Sequence, residues 1–239
     1  MAETLLKVSG VSKHFGGFTA LSEVSIAIAE GERFGLIGPN GSGKTTLINC
    51  ISGLLRNDAG SIHFRGEEIS GLAPHVRTRK GVARSFQVPR PFHTMTVLEN
   101  LLVPTAYVGH LKDSEGEVEA MRILSAMGLA DKARTLASQL SQVELRKLEL
   151  ARAMAARPKL LISDEAMAGL AGAEVDEVLR ILFDLNARGI TIIMIEHIMQ
   201  AVMRFSQRVV CLDAGAIICE GTPASIVQNP NVQRAYLGA

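Results

Sequence analysis

The chain has 239 residues, 47% of them apolar, with 25 Lys and Arg against 24 Asp and Glu. That length allows one large domain with a full core, while a near-neutral charge with eight Phe, two Tyr and no Trp argues against a nucleic-acid partner, which needs a clustered basic face or stacking aromatics. Cys50, Cys211 and Cys219 lack metal-ligand spacing and read as reduced thiols of a cytosolic protein; the amino terminus MAETLLKVSG has no apolar signal core, and no apolar run is long enough to cross a bilayer.

The first third alternates in strand fashion in TLLKVSGV, SEVSIAIAE, ERFGLIG and GSIHFRG. Turn signals separate these runs at Gly16–Gly17, Glu30–Gly31 and Ala59–Gly60. Between the third and fourth runs stands GPNGSGKTT, which matches G-x-x-x-x-G-K-[ST] with Gly38, Gly43, Lys44 and Thr45. It follows the strand RFGLI and precedes the helical stretch TTLINCIS. Glycines let backbone N–H groups turn inward around a phosphate, and the helix N-terminus adds partial positive charge. Lys44 then reaches the β- and γ-phosphates and the Thr45 hydroxyl ligates Mg²⁺.

From about Val97 to Arg157 the chain reads mostly helical, with Val118, Met121, Leu124 and Met127 at helical spacing in EVEAMRILSAM. Within it, LSQVE places Ser141 three residues before Glu144, a capping box, and Leu145, Leu148, Ala151 and Ala155 continue on roughly one helix face. Afterwards the rhythm is strand (KLLIS), amphipathic helix (AEVDEVLRILFDLNARG), strand (ITIIMIE), helix (Ile198–Arg204), strand (RVVCLD), hairpin (DAGAIICEG) and a short helix pair in PASIVQNPNVQRAYLG. Such alternation predicts a parallel α/β sheet interrupted by a helical insert. Asp164 and Glu165 close the KLLIS strand, and ligand sites lie at the carboxyl ends of parallel strands. Beside the phosphate loop, Asp164 would orient Mg²⁺ and Glu165 would activate or orient the attacking water; alone, the pair would read as a solvated turn.

The order phosphate loop, RSFQ, LSQVE, LLISDE, IEH resembles ATP-binding cassette (ABC) ATPases over essentially the whole chain. The stretches GVARSFQVPRPFHTMTVLENLLV, INCISGLL, MAGL and IEHIMQAVM are similar to ATPase subunits of branched-chain amino acid importers and to related importers of urea and amides. The resemblance implies one ABC ATPase domain over residues 1–239: a P-loop NTPase (RecA-like) core with a parallel sheet, an amino-terminal antiparallel β subdomain and an α-helical subdomain inserted at about 90–157. It implies ATP and Mg²⁺ as cofactors, with ATP held by Phe15, Gly38, Pro39, Asn40, Gly41, Ser42, Gly43, Lys44, Thr45 and Thr46. Phe15 would stack on adenine, although a core Phe reads the same. Gln87 would join Thr45 and Asp164 around the metal and sense the attacking water. His197 would contact the γ-phosphate, although a structural His could also end that strand. Glu165, His197, Gln87 and Lys44 are the expected catalytic set. Ser141, Gln142, Val143 and Glu144 would face ATP bound on a second ATPase subunit, in a homo- or heterodimer. The implied setting is peripheral, on the cytoplasmic face of the inner membrane, with permease subunits and a solute-binding protein completing the complex.

Departures from the family pattern cluster. Val143 and Glu144 stand where Gly and Gln are usual, Ala166 where Pro is common, Ala171 where Asp or Asn is frequent, Gly172 where Pro is frequent, and Ser163 where the strand stays apolar. A Glu144 carboxylate about 5 Å from a triphosphate would cost about 3 kcal/mol per unit charge at an effective dielectric of about 20, so a fold-back onto the Ser141 N–H is expected. The chain's own half-site then reads as complete and its signature as weakened. Two other functions compete with transport: a soluble cassette ATPase, which needs a coiled-coil insertion or a second cassette, and a non-hydrolysing regulatory subunit, which intact Glu165 and His197 oppose.

Overall fold

A computed structural model of the chain describes residues 3–109, 111 and 113–237. Strands β1 (Thr4–Phe15) and β2 (Phe18–Ala29) form a long antiparallel hairpin. In β2, Val24, Ile26 and Ile28 are buried and alternate with exposed neighbours, as the two-residue period of a half-buried strand requires. With β4 (Ala59–Phe64) and β5 (Glu67–Glu68) they make a sheet of order β2-β1-β4-β5. Ala59–Gly60 begins β4 and does not form the turn expected there. Gly60 has φ of 76° and passes against the Gly10 backbone, where the register of β1 against β4 shifts, so a side chain would collide.

The second sheet has the order β10-β9-β3-β8-β7-β6. It contains β3 (Arg33–Ile37), β6 (Val82–Ser85), β7 (Leu160–Asp164), β8 (Thr191–Ile195), β9 (Arg208–Asp213) and β10 (Ala216–Gly221). All pairs are parallel except β9 with β10. The five residues of β7 and the five of β8 are all buried, the pattern of strands covered on both faces. One face joins Phe34, Leu36, Ile162, Ile193 and Ile195 to the antiparallel sheet and to helix α1 (Lys44–Ser52). The other joins Ile37, Leu161, Ile192 and Met194 to the helices.

Helix α2 (Pro74–Lys80) was not marked in the sequence. Its Arg77 is 1% exposed and donates to the carbonyls of Cys50, Ile51, Ser70 and Leu72. A cation thus satisfies the last carbonyls of α1. Between β6 and β7 lie α3 (Val97–Tyr107), α4 (Asp113–Ala126) and α5 (Gln142–Ala155), packed on one another. On α4 the buried stripe is Ala120, Ile123, Leu124, with Met127 just beyond. Val118, expected on that stripe, is 72% exposed, because at about 100° per residue it lies some 120° around the helix from Leu124. Helix α6 (Gly172–Ala187) links β7 to β8, α7 (Met199–Phe205) links β8 to β9 one residue later than expected, and α8 (Pro223–Val227) and α9 (Pro230–Leu237) follow β10. Among the described residues no helix is long and apolar enough to cross a membrane.

Candidate active site

Four parallel neighbours, β3, β8, β7 and β6, deliver their carboxyl ends to one edge of the sheet, where α/β folds bind ligands. β3 runs into the phosphate loop, β7 ends on Asp164, β8 is followed by Glu196 and His197, and β6 is followed by Gln87. A cleft of about 260 Å³ is lined there by Phe15, Phe18 and Ala20, by the loop from Asn40 through Thr46, and by Glu165 and His197.

The loop curls around Lys44, a residue 8% exposed, whose ammonium donates to the carbonyls of Gly38 (2.7 Å) and Pro39 (2.9 Å). Gly38 and Pro39 therefore stand behind the cleft as its acceptors. Burial holds the Lys44 pKa below the ordinary lysine value, while the charges of Glu165 and Asp164 oppose the shift. α1 starts at Lys44 with no acid in its first turn, leaving its N-terminal N–H groups and dipole for an anion. The Ser42 hydroxyl inside the loop is buried with no hydrogen-bond partner. Buried donors, a cation and an uncompensated helix start suit phosphate oxygens.

Opposite the loop, Glu165 has φ of 49°. Its N–H donates to the Ile195 carbonyl (2.8 Å), so the turn after β7 is tied to the end of β8. Its carboxylate lies between Gln87 Nε2 (2.5 Å) and His197 Nε2 (2.9 Å). The side chain of His197 is 53% exposed and lies against Glu165 on the cleft wall, so it is no core histidine. Phe15, 48% exposed, likewise lines the cleft and is no core residue.

Asp164 is 6% exposed, and its Oδ2 accepts from Arg84 Nη2 (2.5 Å) and Nε (3.2 Å). Arg84 also donates to Asn49 Oδ1 on α1 (2.7 Å). Glu196 is 4% exposed and accepts from the Met167 N–H (2.9 Å). Burial pushes its carboxyl up to about 7, reinforced by Glu165 and Asp164. The departure at Ser163 leaves a fully buried hydroxyl with no partner.

Ser141, Gln142, Val143 and Glu144 do not line the cleft. Ser141 caps α5. Glu144 folds back: its Oε2 accepts from the Ser141 N–H (2.8 Å), and its Oε1 pairs with Lys132 (3.1 Å). The Ser141 N–H, aided by Lys132, holds this carboxyl below the usual range. Ala171 precedes α6, its N–H satisfied by Glu174 Oε2 (2.9 Å).

Several residues at the site escaped the sequence reading. Phe18 starts β2 beside Phe15, 62% exposed. Arg84 did carry a signal, as a cation inside an apolar strand. Arg146 of α5, 8% exposed, donates to the carbonyls of Gln87 and Ala168, and Tyr236 accepts from the Gly38 N–H. Neither residue stands in a pattern that singles it out.

Comparison with known proteins places this site in context. Residues 21–168 match the family described as "ABC transporter", and residues 216–239 match "Branched-chain amino acid ATP-binding cassette transporter". The high-affinity branched-chain amino acid transport ATP-binding protein BraF of Pseudomonas aeruginosa is 39% identical, with 100% of this chain and 99% of that protein covered. A solved ATP-binding cassette of an ABC transporter in its ADP conformation superposes with a TM-score of 0.91 at 33% identity, covering 99% of this chain and 100% of the other. A bacterial ABC transporter cassette solved as a dimer superposes with a TM-score of 0.83 at 26% identity, covering 92% and 99%.

Proposed function

The chain belongs to the ABC transporter family of ATP-binding cassettes, and from that premise we propose that it powers uptake of branched-chain amino acids, or of a related small solute such as urea or an amide, through partner membrane subunits. As a family member it is an ATPase of a transporter. The solute reading draws support from the tail match at residues 216–239 and from relatives such as BraF.

The observation that carries the hydrolytic reading is Glu165, its carboxylate held between Gln87 and His197 on the cleft wall facing Lys44. In our reading ATP lies on the loop, with Phe15 against adenine, the N–H groups from Asn40 through Thr46 around the phosphates, and Lys44 on the β- and γ-oxygens. Glu165 orients the attacking water and takes up its proton, Gln87 fixes the position of Glu165, and His197 contacts the γ-phosphate. The Thr45 hydroxyl, the Asp164 carboxylate and the Gln87 amide oxygen are hard oxygen donors that suit Mg²⁺. Bound there, Mg²⁺ would neutralise charge on the phosphate oxygens.

The working unit in this reading is the whole of residues 1–239 with its helical insert at about 90–157, peripheral at the cytoplasmic face of the membrane. It pairs head to tail with a second ATPase subunit, identical or different, so that Ser141–Glu144 meet ATP on the partner. A solute-binding protein delivers cargo to the permease. The test is Glu165→Gln: light scattering should find a stable MgATP-bound dimer that does not turn over. Hydrolysis at the unsubstituted rate would remove Glu165 from the mechanism.

A further inference from the structure

The first residue of the phosphate loop is tied to the far end of the chain. Gly38 is buried, with φ of 149°, and a side chain there would strike the Leu212 carbonyl and the Ser42 hydroxyl. Its N–H donates to the phenol oxygen of Tyr236, 198 residues later, at 2.8 Å. The Gly38 carbonyl in turn accepts from Lys44 Nζ. One glycine thus joins the tail to the ammonium at the centre of the loop.

The tail is built to present that phenol. α9 packs on β10, and β10 pairs with β9, whose Leu212 abuts Gly38. Asn229 Oδ1 accepts from the Asn231 and Val232 N–H groups at the start of α9. Gln233 Nε2 donates to the Val227 carbonyl (3.0 Å), and Val232 and Ile226 are buried in the core. Tyr236 is 42% exposed as a residue; the desolvation its phenol does undergo pushes it up to about 12, so it remains neutral across the working pH range. A buried N–H left without an acceptor is costly, so removing the phenol frees Gly38 to leave its present position.

We propose that Tyr236 is a positioning residue for nucleotide binding: its phenol oxygen braces the Gly38 end of the phosphate loop, and the segment from Ala216 onward acts as the strap that carries it. The proposal rests on the reading of that loop as the ATP cradle.

The test measures affinity of the full chain for a fluorescent ATP analogue with Mg²⁺, and KM and kcat for ATP hydrolysis, in Tyr236→Phe, Tyr236→Leu and Lys44→Ala. Tyr236→Phe should raise Kd and KM roughly five- to tenfold, with kcat within about twofold, the size expected for one hydrogen bond to a buried donor. Tyr236→Leu should do at least as much. A Kd in Tyr236→Phe equal to that of the unsubstituted chain, while Lys44→Ala loses binding, overturns the brace and leaves the cradle standing. A loss seen only in Tyr236→Leu also overturns it, by assigning the effect to ring packing. Full binding by Lys44→Ala would remove the cradle itself, and the brace with it.

Discussion

Glu196 is a buried carboxyl in the loop that ends β8, and Glu196→Gln isolates its contribution to stability. The folded carboxyl titrates at about 7 against an ordinary 4.5, chiefly because burial disfavours its charge; Glu165 and Asp164 push the same way, while the Met167 N–H and Arg146 pull back. The folded state therefore holds this proton more tightly than the unfolded chain. The resulting stabilisation is complete below pH 4.5, declines between 4.5 and 7 and is gone above. At 1.36 kcal/mol per pKa unit the full swing is about 3 kcal/mol, most of it between pH 4.5 and 7. Gln offers the same acceptor to the Met167 N–H without a titrating proton. Urea unfolding of both proteins, followed by circular dichroism from pH 4.5 to 8, should show the variant gaining about 3 kcal/mol on the parent as pH rises. Parallel stability curves, within about 0.5 kcal/mol, would show that Glu196 is solvated or already ionised and refute the argument.

Two further outcomes are expected. Arg84→Met removes the cation beside buried Asp164 and should cost about 3–5 kcal/mol, since an uncompensated buried charge remains; a thermal midpoint about 10 °C lower, largely recovered by adding Asp164→Asn, is the expected pattern, and an unchanged midpoint for Arg84→Met alone excludes it. Val143→Gly with Glu144→Gln should raise ATP turnover of the assembled complex, because it removes bulk and a carboxylate from the signature; unchanged turnover would mean that the fold-back of Glu144 already removes the handicap.

How legible the site was depended on how local each feature is. The phosphate loop could be read because strand, glycine-rich turn and helix are contiguous, and their chemistry needs no distant partner. Asp164 and Glu165 could be placed because a buried strand ends on them. The capping box at Ser141 and Glu144 spans three residues, and its geometry followed from that spacing. Arg77, Arg146 and Tyr236 were opaque for the opposite reason. Each acts on backbone or carboxylate groups brought near only by tertiary packing, and an isolated Arg or Tyr otherwise reads as surface. The short helix α2 had no apolar period to reveal it, and its main contribution is the buried guanidinium on the end of α1. Val118 failed because a helical spacing counted from one residue does not say which stripe the neighbouring helices cover.

Arg146 joins the start of α5 to the surroundings of Glu165 within one chain. It stands two residues after Glu144, in the first turns of α5, and donates to the carbonyls of Gln87 and Ala168. Gln87 holds the Glu165 carboxylate through its amide, and the Ala168 N–H donates to the Glu165 carbonyl (3.1 Å). Two short paths therefore run from the helix that Ser141 caps to the residue assigned to the attacking water. Glu165 sits in the left-handed region, which costs a non-glycine residue about 1 kcal/mol or more and persists only where its surroundings hold it. Among those surroundings are the contacts that Arg146 organises. Arg146 thereby ties the start of α5 to both loops beside Glu165. The capping box fixes the start of the same helix, with Glu144 Oε2 accepting from the Ser141 N–H at 2.8 Å.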